Sequence, residues 1–280
     1  MIVIAAAKER IEILEKREFL VVKANELIQK NRFELSLPEQ KTVAFISSMI
    51  KPITPEAKAK QSPYCPDSPW QLEYEFNIRD YCKVCGIDYA GGKNYKDIKA
   101  TIKKLSDRSM WLDDGKSEKL MRWLSYVEIN KKREKVNIEI DRTIAPFLFE
   151  LKEKFTQYQL YNILAMKSAF SVRIYELMKS YAYQKSKTFE IDELKRLLRV
   201  EDVKTYKNFA DFKRRVLDKA QEEINELTDL NIAFEPVTKG RKIVSVIFRI
   251  ETKGENETVL CGRKVNNVLG LPEKKIGKIE

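Results

Sequence analysis

Apolar residues recur at helical spacing along a segment in the last third of the chain. Between Asn208 and Leu227 every third or fourth residue is apolar, which predicts one amphipathic helix with a single core-facing side. The members of this stripe are Phe209, Phe212, Val216, Ala220, Ile224 and Leu227. Two strand-like stretches follow, joined by a basic turn at 239–242, and they predict a hairpin that closes near Ile250.

The earlier half of the chain has the same order. Within 92–108 the apolar residues form one stripe, which predicts a second amphipathic helix; they are Tyr95, Ile98, Ile102 and Leu105. The hairpin after it has strands around 123–129 and at 136–140, joined by the charged turn 131–134. A helix followed by a basic hairpin, present twice, predicts an α+β fold of tandem winged-helix domains, rich in helix and with a β-hairpin wing in each.

Cations lie on the outward sides of both helices and in the turn of the second hairpin, 239–242. In the second half they are Lys207, Arg214, Arg215, Lys239, Arg241 and Lys242, and in the first Lys93, Lys96, Lys103 and Lys104. The arginine fork fits guanine edges and phosphates, and a helix fits the major groove of DNA. We therefore expect base reading mainly from the second domain and phosphate binding from the first. A solvated charged surface is the alternative, because Asp211, Asp218 and Glu222 share the outer side of the second helix.

Composition favours a nucleic-acid partner. A length of 280 residues allows about two domains, and a net charge of +11 with a pI near 9.3 favours a polyanion. A membrane surface is the competing partner. The sequence has neither an apolar run of about 18 residues nor a start typical of a signal peptide, so we expect a cytoplasmic protein that does not bind membranes.

The chain contains no histidine, which argues against most catalysis. Ser-His-Asp and Cys-His mechanisms and the histidine-rich metal site of a relaxase are excluded. The glycines before Lys93 lack the spacing of a phosphate-binding loop. The spacing of Cys82 and Cys85 is compatible with a zinc site that would include Cys65 and Cys261, but buried apolar thiols are favoured. We therefore expect no enzymatic activity, no metal and no cofactor.

The pattern divides the chain into four parts. They are a helical extension at 1–18, a first winged-helix domain at 19–149, a second at 150–252 and a flexible tail at 253–280. Helices are predicted at 77–85, 156–166, 171–183 and 191–198, and Ser36 and Pro38 open another. A proline-rich connection, 52–69, is predicted to be a surface loop.

Several ordered stretches resemble the plasmid initiator replication proteins, the theta-type initiators that bind iterons, the direct repeats of a plasmid origin. The stretches are 20–28, 35–41, Thr156-Gln157-Tyr158-Gln159-Leu160-Tyr161, Phe170-Ser171-Val172-Arg173-Ile174-Tyr175-Glu176-Leu177, 223–230 and the turn 239–242. One departure is Leu198-Arg199-Val200, where a Leu-Gly pair would end the helix. Arg173 is interpreted as a packing or salt-bridge residue rather than a DNA contact.

The resemblance implies two winged-helix domains and a replication initiator. It further implies that dimers repress their own gene at an operator inverted repeat, while monomers bind the origin repeats, open AT-rich DNA and recruit the host initiator and replicative helicase. A winged-helix transcriptional repressor without a role at an origin is the main alternative. A relaxase is the third, and the missing histidines disfavour it.

Overall fold

The structure is a computed structural model, and it describes residues 2–31, 34–50, 70–88, 92–113, 117–130, 132–150 and 154–271. Its helices are α1 Ile2–Glu18, α2 Asn25–Lys30, α3 Leu37–Met49, α4 Ile78–Cys85, α5 Gly92–Asp107, α6 Ala145–Phe149, α7 Tyr161–Leu164, α8 Ala169–Tyr181, α9 Ile191–Leu197, α10 Phe209–Phe212, α11 Asp218–Leu227 and α12 Glu255–Val268. Its strands are β1 Leu20–Ala24, β2 Glu73–Asn77, β3 Ser109–Asp113, β4 Glu118–Arg122, β5 Leu124–Asn130, β6 Lys135–Ile140, β7 Phe155–Gln159, β8 Ser186–Glu190, β9 Leu230–Lys239 and β10 Lys242–Thr252. The proline-rich connection lies outside the described residues.

The winged-helix unit of the first half consists of helices α3, α4 and α5 and a three-stranded sheet. Helix α3 begins where the sequence predicts, because the Ser36 N–H donates to Glu39 Oε2 at 2.7 Å and Pro38 lies in the first turn. Helix α4 begins at Asn77, whose side chain accepts from the Arg79 N–H at 2.8 Å. Helix α5 and the hairpin β5–β6 follow, and the sheet order is β2-β6-β5.

The second half repeats this topology. Helix α8, strand β8, helix α9 and the helical segment from α10 to α11 precede the hairpin β9–β10, and the sheet order is β8-β10-β9. In both sheets the strand between the first two helices pairs with the last strand, which is the arrangement of a winged helix. The expected tandem winged-helix fold is therefore confirmed.

The first half also contains a hairpin that the sequence analysis missed. Strands β3 and β4 pair with each other between α5 and the wing, with Trp111 opposite Leu120. Both side chains face solvent, with exposed fractions of 59% and 45%, while Met110 and Met121 face inward. Only the inner face of this hairpin is buried, and the exposed apolar Trp111 and Leu120 hid the alternation in the sequence.

The helix predicted at 156–166 is wrong. Residues Phe155–Gln159 form β7, which pairs antiparallel with β1, and only Tyr161–Leu164 is helical. Buried Thr156 and Tyr158 alternate with exposed neighbours, which is the period of a strand. The pairing partner lies far away in sequence and overrides local helix propensity. This β1–β7 pair also crosses the boundary expected between 149 and 150.

The flexible tail expected after residue 252 is also corrected. Lys253 is buried, and its Nζ donates to the carbonyl oxygens of Asn225 at 2.5 Å and Thr228 at 2.9 Å, at the end of α11. A lysine there satisfies carbonyls that the helix leaves without partners. Helix α12 follows and buries Cys261 and Val265. Residues 272–280 lie outside the described part of the chain.

Helix α12 joins the last part of the chain to the first. Arg17 of α1 is only 1% exposed, and it donates from Nε to the Val84 carbonyl at 2.8 Å and from Nη1 to Asn266 Oδ1 at 2.9 Å. Burial lowers the pKa of Arg17 to about 10. Gly86, at the end of α4, has a φ of 67°, and a Cβ there would lie 2.6 Å from Leu269 Cδ2. The segment after α12 is thus fitted tightly against α1 and α4.

A buried polar cluster lies where β1, β7 and α8 meet. Glu176 Oε1 accepts from Lys23 Nζ at 2.6 Å and from the Tyr158 hydroxyl at 2.6 Å. Burial by itself would raise the pKa of Glu176, but Lys23 and the hydrogen bonds hold it below its ordinary value. Because the three groups come from separate elements, this cluster fixes their packing.

Candidate nucleic-acid interface

The third helix of the second domain, the segment from α10 to α11, is not a uniform α-helix. Asn208 caps its start by accepting from the Ala210 N–H at 2.9 Å. After α10 the segment Lys213–Leu217 is π-helical, and the Asp218 N–H donates to the Lys213 carbonyl, five residues earlier. Helix α11 then continues to Leu227. The helix predicted at 208–227 is confirmed in extent, and the π turn is an addition.

The π turn changes which side chains face the core. A wider turn places consecutive residues at a smaller angle, so two neighbours can share one side. Val216 and Leu217 are both about 1% exposed and pack in the core. Arg214 and Arg215 are neighbours on the opposite side, with side chains 70% and 56% exposed. The π turn therefore presents two adjacent arginines to solvent.

Both arginines contact one carboxylate. Arg214 Nη2 donates to Asp211 Oδ1 at 2.8 Å, and Arg215 Nε lies 3.8 Å from the same oxygen. The Asp211 side chain lies in the first turn of the helix and is 29% exposed. A guanidinium has five N–H donors, so these contacts leave donors for other acceptors.

Lys213 connects the same helix to the wing. Its Nζ lies 2.7 Å from Asp218 Oδ1 and 5.4 Å from the centre of the Phe234 ring on β9. A cation over an aromatic ring is stabilising. This contact supports the position of the helix relative to the hairpin.

The wing carries its cations at the tip. Gly240 has a φ of 64° with open space around it, so the turn uses glycine for its backbone conformation. Lys239 and Lys242 are directly opposite each other in the hairpin, and Arg241 lies between them in the turn. All three are exposed. Like charges opposite each other repel, so an anion at this tip would relieve an unfavourable contact.

A groove of about 840 Å³ lies between the wing tip and the start of the third helix. Of the predicted residues it brings together Lys207, Arg241 and Lys242. Lys195 and Arg196 of α9 also line it, and the sequence analysis missed them. Their position in the last turn of α9, between the buried Leu194 and Leu197, was a usable signal. The acidic residues Glu190, Asp192 and Glu201 lie in the same lining.

In the corresponding helix of the first domain, α5, the exposed cations among the described side chains are lysines. Lys96, Lys103 and Lys104 are exposed, and Lys103 Nζ contacts the Asp107 carboxylate at 2.5 Å. The side chain of Lys93 lies outside the described residues. The first wing also has exposed cations at its tip, Lys132 and Arg133, beside Glu134 with a φ of 53°. The two domains thus present cations at equivalent places, the third helix and the wing tip.

Arg173 is a packing residue, as expected. It is 3% exposed, and its Nη2 donates to the Asn31 carbonyl at 2.7 Å. Burial lowers the pKa of Arg173 to about 10. Arg199, where the sequence departs from Leu-Gly, has a φ of 55°, so an arginine occupies a left-handed conformation that glycine adopts more easily.

Comparison with known proteins decides the family. The profile described as "Initiator Replication protein, WH1" matches residues 20–179, and "Initiator Rep protein, WH2" matches residues 190–250. The chain belongs to the initiator replication protein family. Members of this family are replication initiators, so the repressor alternative is not favoured.

Comparisons with individual proteins are consistent with this family. A protein of Escherichia coli named "Replication initiation protein" is 24% identical over 252 residues, which cover 86% of this chain and 72% of the relative. A solved structure titled "Crystal structure of Pi initiator protein in complex with iteron DNA" matches with a TM-score of 0.64 and 21% identity, covering 85% of this chain and 99% of that one. At this identity the structural match supports the fold.

The described cysteines of the initiator, Cys82, Cys85 and Cys261, are buried. Burial raises the pKa of Cys82 to about 11 and that of Cys85 to about 12, so both side chains are thiols at neutral pH. Cys65 lies outside the described residues, and no cluster of metal-ligating side chains occurs within them. Likewise, no described helix is long and apolar enough to cross a membrane.

Proposed function

We propose that this initiator binds the direct repeats of a plasmid origin as double-stranded DNA and contacts them with both winged-helix domains. One observation carries the proposal: Arg214 and Arg215 face solvent on the third helix while Lys207, Arg241 and Lys242 line the adjacent groove. A helix in the major groove with a wing on the neighbouring backbone uses this arrangement. The Pi initiator, whose structure title names iteron DNA, supports it by similarity.

The two domains divide the work in this proposal. Arginine forms bidentate contacts with guanine, whereas lysine acts as a point charge on phosphates. The second domain therefore supplies most of the sequence preference. The first, with Lys93, Lys96, Lys103 and Lys104 on α5, supplies affinity that is independent of sequence.

A footprint on the plasmid origin tests the proposal. Two domains in successive major grooves, about 10.5 bp apart, protect roughly 20 bp on mainly one face of the duplex. A footprint of half that length would show that only one domain binds. Direct repeats beside an AT-rich stretch are expected at the protected site, whereas a lone inverted repeat would favour the repressor.

Single substitutions test the division of work. Arg214→Ala and Arg215→Ala each weaken binding by about 1–3 kcal/mol, and the substitution of a base-reading arginine relaxes the preference at one base pair. Lys103→Ala weakens binding to every sequence alike and lowers the salt slope by about one. Lys264→Ala on α12 is the matched control, because Lys264 is an exposed lysine outside the proposed surface. A change of sequence preference in Lys103→Ala alone would reverse the assignment.

The initiator acts without catalysis in this proposal. Monomers bound to adjacent repeats bend and open DNA with binding energy, at a cost of order 1–6 kcal/mol per bent site. In the cytoplasm they then recruit the host initiator and replicative helicase, while dimers bind the operator inverted repeat. Incubation with supercoiled origin DNA and magnesium, followed by a denaturing gel, is the test. A nicked circle or a covalent protein–DNA adduct would contradict the proposal.

A further inference from the structure

An acidic side chain lies in the middle of the proposed base-reading surface. Asp211 is the contact that Arg214 and Arg215 share, at 2.8 Å and 3.8 Å. An acidic residue in the first turn of a helix is favourable by itself, but exposed ion pairs contribute little to stability, so stability does not explain why this carboxylate contacts both arginines. A carboxylate close to the DNA backbone also repels phosphates. Asp211 therefore opposes general DNA binding by the helix that carries it.

The geometry gives this carboxylate a positive role. The π turn places both arginines on one side of the helix, and one oxygen of Asp211 accepts from Arg214 Nη2 at 2.8 Å and forms a longer ion pair with Arg215 Nε at 3.8 Å. An exposed arginine otherwise loses considerable side-chain entropy when it is fixed by a base. A guanidinium already held by a neighbouring carboxylate loses less, and its remaining donors keep a defined direction.

We propose that Asp211 is a specificity-determining residue that positions Arg214 and Arg215 for contact with base edges and restrains them from binding phosphates at random sequence. This inference rests on the proposed function, because it assumes that the helix reads bases. Asp211 acts through the arginines, so it is a positioning residue.

The experiment compares the affinity for origin repeats with that for random duplex DNA over a range of salt concentrations. In Asp211→Asn the arginines lose their ion pairs with the carboxylate and become free to bind phosphates. We expect the ratio of specific to non-specific affinity to fall about tenfold, part of the discrimination that one base-reading arginine supplies. We also expect a steeper salt dependence on random DNA, by about one to two in the slope, because up to two more phosphates are neutralised.

Glu222→Gln is the matched control. Glu222 is an exposed carboxylate on the same helix, and the substitution makes the same change of charge. We expect it to raise both affinities by a similar factor and to leave their ratio within about twofold, as an effect of net charge alone does. If Asp211→Asn gave this same result, the inference would be overturned.

A double-mutant cycle separates positioning from other roles. In the Arg214→Ala and Arg215→Ala backgrounds the effect of Asp211→Asn on the ratio should shrink, since the groups it acts through are gone. An undiminished effect in both backgrounds would show that Asp211 contacts DNA by itself. An equal loss of both affinities would show a structural role, such as stabilising the helix start. Either result overturns the inference.

The wild-type protein distinguishes this inference from the proposed function. If it bound repeats and random DNA equally, the proposed function itself would fail. If it discriminated between them and Asp211→Asn did so equally well, only the inference would fail.

Discussion

The buried ion pair between Lys23 and Glu176 allows a quantitative test of how the fold is held together. Both side chains are 4% exposed, and the Tyr158 hydroxyl completes the cluster. Removing one partner leaves the other charge buried without its counter-ion, which costs about 3–5 kcal/mol. We therefore expect Lys23→Met to lower the free energy of unfolding by about 3–5 kcal/mol, a large part of the usual 5–15 kcal/mol.

The loss of stability in the double variant should be much smaller than the sum of the losses in the two single variants. In Lys23→Met/Glu176→Gln neither charge of the pair remains, the glutamine carbonyl can still accept from Tyr158, and Arg173 stays as a buried cation nearby. We expect its cost to be at least about 2 kcal/mol smaller than the sum of the two single substitutions. Lys264→Ala, an exposed lysine on α12, is the control for the loss of a positive charge alone.

Urea denaturation measures these free energies. All three tryptophans, Trp70, Trp111 and Trp123, lie in the first half, so fluorescence reports that half while far-ultraviolet circular dichroism reports both. Coincident transitions by the two probes are needed to compare single free energies. Single substitutions that cost under about 1 kcal/mol, or a double variant additive within about 0.5 kcal/mol, would refute the reasoning.

The dependence of stability on acidic pH is an independent test of the same ion pair. The pKa of Glu176 is lower in the folded state than its ordinary value of 4.5, so the ionised form stabilises the fold. That contribution is present above about pH 4.5 and is lost as the pH falls through the lower folded-state pKa. In this window Glu176→Gln should lose stability less steeply than the wild type, by up to about 1.4 kcal/mol per pH unit. Parallel acid profiles would contradict this assignment.

Four further substitutions test backbone conformation and the contact of α1 with the segment after α12. Arg199→Gly should raise the free energy of unfolding by up to about 1 kcal/mol, because glycine removes the cost of a φ of 55°, and an unchanged urea midpoint would contradict this. Gly86→Ala should cost about 1–3 kcal/mol more than Gly240→Ala, because both have positive φ but only the first meets Leu269, and equal costs by denaturation would refute that. Arg17→Met should cost about 3 kcal/mol, because it leaves buried acceptors without a donor, and a thermal midpoint equal to the wild type would oppose it.

Periodicity predicted the parts of the fold in which neighbours in sequence share one side. Ile98, Ile102 and Leu105 are buried as the helical stripe of α5 predicted, and Gly240 forms the turn between the wing strands. These features depend on local spacing and turn chemistry. Their repetition in the chain was sufficient to predict two winged-helix domains.

The misplaced elements depend on partners that are distant in sequence. Residues 156–159 form a strand because Val21 and Val22 of β1 pair with them, and α12 is ordered because Cys261 and Val265 find a surface to bury against. A single sequence does not show such pairings. Local propensity was therefore overridden in both places.

The candidate interface was predicted by residue type but not by arrangement. The exposed cations, such as Lys207 and Arg241, are where their polarity suggested. The π turn was not visible, because it follows from packing both Val216 and Leu217 into the core. The shared contact of the two arginines with Asp211 depends on that turn, so it required the fold.

The position of Arg17 has a consequence for the order in which the chain is synthesised. Its acceptors at Lys83 and Val84 follow it by 66 and 67 residues, but Asn266 follows it by 249 residues. At about 5–20 residues per second, that residue is translated roughly 10–50 seconds later. During this interval the Arg17 guanidinium lacks its Asn266 acceptor, although the β-sheet of the first domain has already been translated. If translation stops before α12, Arg17 keeps its acceptors on α4 but lacks Asn266, so the final fit of the first helix takes place only after α12 has been translated.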